Sequence, residues 1–266
     1  MKQLRKRLRE GNLLLGQMVL ELFTSGIGPM LAASGAEFVL FDMEHGRCDI
    51  ALLAEMIASC RGIDIVPMVR VPDFNFCPLS RVLDIGVGGV MVPRVETRAQ
   101  AEEIVAQLKY APLGRRGVAL GVAHDLYQAG GAEYFANANE ETIVILLLET
   151  AQAFENLDDI LSVPGVDVAW MGHYDLSVSM GIPAEFENLR FLDAMHALVA
   201  CCRRHGVAPG FLPATPESAT HWIRKGFRVI SMGSDIGVFL SGVKKFRQSV
   251  EASLADSDKI RKGDGA

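Results

Sequence analysis

The 266-residue sequence lacks any uninterrupted apolar run long enough to cross a bilayer, so no membrane span is expected. It also lacks excess positive charge. With 32 acidic and 26 basic residues the balance is −6, and the basic side chains are scattered, which removes the electrostatic footprint of a nucleic-acid binder. Cysteine is sparse. The five residues Cys48, Cys60, Cys77, Cys201 and Cys202 form an odd set with no CxxC pair, against both a disulfide framework and a thiolate zinc site. A reducing cytoplasm is the expected home. Two catalytic signatures are missing as well. There is no Gly-x-Ser-x-Gly elbow, and Gly86, Gly88 and Gly89 lack the acidic ribose binder of a dinucleotide site, so no organic cofactor is expected. Lysine is absent from the buried apolar runs. Lys2, Lys6, Lys109, Lys225, Lys244, Lys245, Lys259 and Lys262 fall in terminal, helical or loop positions, which disfavours an imine mechanism.

What is present is a rhythm. Half of the residues are apolar, and eight short apolar or β-branched runs occur at 16–20, 38–43, 65–69, 89–92, 143–148, 166–171, 207–211 and 228–232. Between them lie helical patterns such as 50–60, 98–109, 156–162, 191–205 and 217–225. Two of these end in His205-Gly206 and Lys225-Gly226, as helix stops commonly do. This alternation, with no second composition block, predicts an α/β chain folded as a single (β/α)8 TIM barrel over residues 1–255. The first ten residues carry five basic side chains, with Leu4 and Leu8 four apart; a capping helix under the barrel fits better than a transit peptide. Residues 112–141 break the rhythm and predict a long loop, functional or disordered. Residues 256–266 are charged and small, the composition of a flexible tail.

Active sites of such barrels form where strands end on the C-terminal face, so polar residues just after apolar runs are candidates. The second run ends in Asp42-Met43-Glu44-His45, the third in Arg70, the fifth in Glu149 and the sixth in Gly172-His173-Tyr174-Asp175. Glu149 and Asp175 close neighbouring strands, about 5 Å apart by strand spacing, and a hard divalent cation relieves the repulsion between two such carboxylates. An arginine partner for each, or a helix-capping role for Glu149, fits the same sequence. His45 is a residue type suited to a general base, though a histidine after a buried strand is more often structural. Arg70 suits a carboxylate or a developing oxyanion, and equally an ion pair with Asp42 or Glu44. Asp84 fits a histidine-orienting role or a plain turn.

Taken together, Phe41-Asp42-Met43-Glu44-His45-Gly46, Val66-Pro67-Met68-Val69-Arg70-Val71-Pro72, Leu83-Asp84-Ile85-Gly86, Gly114-Arg115-Arg116-Gly117, Glu149-Thr150 and Asp175-Leu176-Ser177 resemble the HpcH/HpaI aldolase family of metal-dependent class II pyruvate aldolases. The likeness runs from about Leu8 to Phe246 in order and spacing. It implies a divalent ion (Mg2+ or Mn2+, or Co2+) on Glu149 and Asp175, an enolate of pyruvate or another 2-oxo acid stabilised by Arg70, and an aldehyde partner. It further implies that His45, supported by Asp84, shuttles protons, that Asp42 supports the site, and that Gly172, Tyr174, Asp175 and Leu147 line the substrate. Leu147 stands where many relatives have glutamine, and His173-Tyr174 where many have Pro and a small residue, so Tyr174 is expected to narrow the pocket. A malyl- or citramalyl-thioester lyase, or a silent barrel that only binds a metal or 2-oxo acid, are the alternatives. The apolar residues Val238, Phe239, Leu240, Val243 and Phe246 exceed what a solvated helix needs, and the resemblance implies a homohexamer built by helix exchange.

Overall fold

The computed structural model describes residues 2–74 and 79–263, with side chains described for 4–74 and 79–255, so Cys77 lies outside the described residues. Eight parallel strands close on one another in chain order: β1 (Leu14–Val19), β2 (Phe38–Asp42), β3 (Val66–Arg70), β4 (Gly89–Val92), β5 (Ile143–Leu148), β6 (Val168–Met171), β7 (Ala208–Phe211) and β8 (Val229–Ser234). The helices are α1 (Lys2–Arg9), α2 (Ile27–Ala33), α3 (Ile50–Ser59), α4 (Ser80–Asp84), α5 (Arg98–Leu108), α6 (Glu133–Glu141), α7 (Ala151–Glu155), α8 (Leu157–Leu161), α9 (His173–Ser179), α10 (Leu189–His205), α11 (Pro216–Lys225) and α12 (Asp235–Gly263). Every apolar run of the sequence supplies a strand. The shifts are small: β1 starts earlier, at Leu14, because that residue pairs with Val229, and β3 extends to Arg70, which pairs with Asp42. The irregular stretch 112–141 contains a short 3-10 turn at Ala123–Asp125 and then α6.

Strand alternation decides which residues fill the barrel. Phe38, Leu40, Met68, Met91, Ile145, Leu147 and Trp170 share the inner cluster, whereas Val39, Phe41, Val69, Leu146 and Leu148 join the outer core under the helices. Both faces are therefore apolar, which is why β5 reads as an unbroken IVILLL run with all positions buried. Counting two residues onward along each inward face reaches Asp42, Arg70, Glu149 and Gly172. The period of two thus carries four residues to the barrel mouth.

The opposite end is sealed. Leu4 and Leu8 of α1 pack into the inner cluster, each burial contributing about 1.5–3 kcal/mol, and Arg5 Nε donates to Asp167 Oδ1 at 2.7 Å with both side chains buried. Lys109 lies fully buried in this floor, donating to the carbonyls of Asn139 and Thr142 at 2.8 and 2.6 Å. Burial pushes its ammonium down to about 8. It stands where β5 begins, at the far end from the strand C-termini.

At the mouth, Asp235 opens α12 by accepting the backbone N–H groups of Leu20, Glu21 and Leu22 at 3.0, 3.0 and 2.6 Å. This ties the helix start to the end of β1. Beyond it, Val238, Phe239, Leu240, Val243 and Phe246 stand exposed. The helix continues through the segment expected as a tail and is described to Gly263.

Candidate active site

Asp42 organises the mouth. Its carboxylate is fully buried and accepts from Arg70 twice, Nε to Oδ1 at 2.8 Å and Nη2 to Oδ2 at 2.6 Å. It also accepts the backbone N–H of Glu44 at 3.0 Å and of His45 at 3.3 Å, folding the chain after β2 back over the barrel. Only glycine permits that fold at position 46, because a Cβ there would lie 2.5 Å from Asp42 O and 2.8 Å from Leu20 O. His45 is presented on the exposed rim of the resulting turn.

Arg70 Nη1 stands 3.1 Å from Glu44 Oε2. Burial opposes the guanidinium charge, but the hydrogen bonds and charge of Asp42, with Glu44 and Glu149, raise its pKa above the ordinary value. The ion pair to Glu44 is not aligned as a hydrogen bond, so the buried Oε2 of Glu44 has no hydrogen-bond donor. Burial raises the Glu44 carboxyl above its usual range, with Arg70 and His45 opposing.

Glu149 follows β5 directly and is 4 % exposed. Its Oε1 accepts the N–H of Arg94 at 2.9 Å, a bond made possible by the left-handed backbone of Arg94 (φ 55) after Pro93. Burial, then the charges of Glu44 and Asp175, push its carboxyl up to about 7. Gly172, at the end of β6, leaves the space that Glu149 occupies: a Cβ there would fall 2.5 Å from Glu149 Cβ and 2.7 Å from Oε2. Leu147 lies beneath, its Cδ1 3.2 Å from that same point.

Asp175 lies one helical turn into the segment after β6, on the exposed first turn of α9. The mouth therefore carries the carboxylates of Asp42, Glu44, Glu149 and Asp175 around one buried guanidinium. A Glu44 oxygen without a hydrogen-bond donor and a Glu149 carboxyl pushed up to about 7 are the marks of a site short of positive charge, and they fit a divalent cation. The donors are all oxygens, which suits a hard ion held by one or two carboxylates with water completing its shell. They do not close into an all-protein cage. Among the described residues the one group of three ligating side chains with mutually close donor atoms lies elsewhere, at Asp158, Cys201 and His205.

Two expected residues take other places. Asp84 is the last residue of α4, just before β4 begins, and so lies at the opposite end of the barrel from His45. Its Oδ1 accepts from Arg116 Nη2 at 2.7 Å and is 3.9 Å from His124 Nε2. The reason is topological: a helix between parallel strands carries the chain back to the strand N-termini. Tyr174 is 59 % exposed and packs edge-on against Phe186, with ring centroids 5.1 Å apart, beside His173 at 4.6 Å. Burial pushes the His173 imidazole below its ordinary value, with Asp175 opposing. Sequence reasoning missed the roles of Glu44, Arg94 and Gly46. The Pro93-Arg94 step after a strand was a visible signal for the second, while Glu44 was weighed only as an ion-pair partner of Arg70.

A closed parallel barrel whose inward strand ends carry a locked arginine and a buried carboxylate is an α/β-barrel enzyme scaffold with its chemistry at the C-terminal face. The chain belongs to the HpcH/HpaI aldolase/citrate lyase family, whose model matches residues 22–242. It is 31% identical over 217 residues to the 5-keto-4-deoxy-D-glucarate aldolase of Shigella boydii, a match covering 81% of this chain and 84% of that relative. Among solved structures, the HpcH/HpaI aldolase from Desulfitobacterium hafniense superposes with a TM-score of 0.87 at 26% identity, covering 93% and 96% of the two chains. A citrate synthase, SbnG, superposes with a TM-score of 0.80 at 30% identity over 99% and 100%. The chain is accordingly a carbon–carbon lyase by kinship.

Proposed function

We propose that this chain is a divalent-metal-dependent aldolase that reversibly cleaves a 4-hydroxy-2-oxo acid to pyruvate, or another 2-oxo acid, and an aldehyde. The observation that carries the reading is the pairing of Asp42-locked Arg70 with the carboxylate-rich wall of Glu44, Glu149 and Asp175. Glu149 and Asp175 would hold the ion. When bound, a divalent cation supplies Lewis acidity that lowers the cost of building negative charge on a 2-oxo acid carbonyl.

The chain's own groups supply the rest. Arg70 is held rigid by two hydrogen bonds, so its remaining N–H donors need no reorganisation when negative charge grows on the enolate oxygen. The imidazole of His45 takes a proton from the methyl group of the 2-oxo acid, giving the enolate and an imidazolium. The enolate carbon attacks the aldehyde carbonyl, and the new alkoxide oxygen takes the proton back from the His45 imidazolium; cleavage runs the same transfers backward. The turn anchored on Asp42 positions His45 for this transfer. Leu147 and Gly172 line the space beside Glu149 without adding a polar group.

The test is release of 2-oxo acid from a panel of 4-hydroxy-2-oxo acids, before and after EDTA, with Mg2+, Mn2+ or Co2+ restored. Activity insensitive to chelation overturns the proposal. The likeness to a citrate synthase favours a second reading, in which related enolate chemistry serves a citrate-type hydroxy acid. Citrate and oxaloacetate belong in the same panel, and turnover of these alone selects that reading. We also propose a homo-oligomer, a hexamer, assembled through the exposed apolar face of α12.

A further inference from the structure

On the outside of the barrel, α8 and α10 bring Asp158, Cys201 and His205 together. Cys201 and His205 are four apart on α10, hence on one face, and Asp158 lies across from them on α8. Cys201 Sγ is 3.6 Å from Asp158 Oδ1, and His205 Nε2 is 2.9 Å from the same oxygen. The three donor atoms all lie within 4.8 Å of one another. A tetrahedral zinc ion with ordinary bond lengths holds a sulfur and an oxygen ligand about 3.6 Å apart and a nitrogen and an oxygen about 3.3 Å apart. The sulfur–oxygen and nitrogen–oxygen edges of the triad are within a few tenths of an ångström of that shape before any ion binds.

We propose that Asp158, Cys201 and His205 form a second metal site, selective for a soft divalent ion such as Zn2+, that clamps α8 to α10. Its donor set of thiolate, imidazole and carboxylate differs in kind from the all-oxygen wall of the barrel mouth, so the two sites select different metals. The sulfur forms a buried base, while the half-buried His205 and exposed Asp158 form a rim that leaves a fourth position open to water. On binding, the Cys201 S–H bond is replaced by a metal–sulfur bond and its proton goes to solvent. His205 coordinates through Nε2 and keeps its proton on Nδ1. Two negative ligands then balance the ion's charge.

Arg204 Nη2 donates to Asp158 Oδ1 at 2.6 Å and is the cation that an incoming ion must displace. Its side chain is 58 % exposed, and such surface pairs are weak, so it can swing into water. Burial raises the Cys201 thiol to about 11, which means that the ion must itself drive deprotonation. The absence of a CxxC pair concealed this group, because its ligands lie on two helices with an i,i+4 pair on one of them.

Titration of the chelator-stripped full chain with Co2+, read as thiolate-to-cobalt charge transfer in the near ultraviolet, tests the site. Loss of the band in Cys201→Ser, a variant that keeps the Cys48 thiol near Asp42, ties it to this site and keeps it independent of the proposed aldolase reaction. We expect a band that saturates at one equivalent per chain, is abolished by excess Zn2+ and is lost in Cys201→Ser. His205→Ala, a change on the helix surface that leaves the core intact, should weaken Co2+ binding at least about tenfold, the lower end of what even outer-sphere metal partners contribute. No band in the parent, a band unchanged in Cys201→Ser, or unaltered affinity in His205→Ala overturns the proposal; in that case the cluster is an Asp158–Arg204–His205 ion-pair network only.

Discussion

Asp42 and Arg70 are partners in the β2–β3 register and are joined side chain to side chain by two hydrogen bonds of 2.8 and 2.6 Å. The carboxylate is fully buried, so the pair is a fixed element of the mouth rather than a surface contact. Removing one member of a buried charge pair strands the other, at about 3–5 kcal/mol. Asp42→Ala should therefore lower stability on that scale in a urea titration. Arg70→Lys keeps the charge and loses the fork; kcat for 2-oxo acid release should fall roughly 100-fold with little change in stability. An Arg70→Lys enzyme of parental kcat would remove Arg70 from the mechanism.

Glu149 gives the metal-free protein a pH-dependent weakness. Burial, then Glu44 and Asp175, raise its carboxyl to about 7 from the ordinary value of 4.5. Below about 4.5 it is protonated both folded and unfolded, and no penalty applies. As pH rises from there through 7, the unfolded chain ionises first and stability falls, by about 3 kcal/mol in all. In EDTA, Glu149→Gln should therefore gain stability over the parent at pH 8 but not at pH 4.5. An equal difference at both pH values would contradict the raised pKa.

Gly172 should prove indispensable for metal affinity. A methyl group there meets Glu149 Cβ at 2.5 Å and Oε2 at 2.7 Å, so the carboxylate must turn away. Calorimetric titration of Gly172→Ala with Mn2+ should show at least about tenfold weaker binding, a ligand displaced being no milder than an outer-sphere partner lost. Parental affinity in this variant would place the ion elsewhere.

Leu147 is predicted to set the polarity beside Glu149. Leu147→Gln adds an amide within reach of the substrate space next to Gly172 and should shift preference toward more polar aldehydes or 2-oxo acids. Ratios of kcat/KM across the panel provide the check, and unchanged ratios would exclude a specificity role.

The apolar face of α12 should be an interface. Phe239 and Phe246 are 60 % and 74 % exposed, too much aromatic surface to leave in water. Light scattering of the parent should give a multiple of the chain mass, and Phe239→Ser with Phe246→Ser a smaller particle. A monomeric parent refutes the assembly.

Some of this was legible without coordinates. Runs such as Ile143–Leu148 are apolar at every position because a barrel strand is buried on both faces, so the eight strands could be read from composition alone. Strand-end position likewise singled out Asp42, Arg70, Glu149 and Gly172. Asp84 shows where that reasoning stops. Its role beside His45 rested on the resemblance, and within the chain the return path of α4 sets it with Arg116 at the other end of the barrel. The contact of the Tyr174 ring with Phe186, twelve residues further on, was likewise not visible in the sequence.

The sequence by itself determined the rhythm of strands, the residues that end them, and the family to which the chain belongs, because these depend on local periodicity and on motif order. Only the tertiary structure decided which charges meet: Asp42 with Arg70, Arg94 N–H with Glu149, and Asp158 with Cys201 and His205. The physical reason is that hydrogen bonds and Coulomb forces act over a few ångströms in space, and only closure of the barrel brings residues so far apart in the chain within that range.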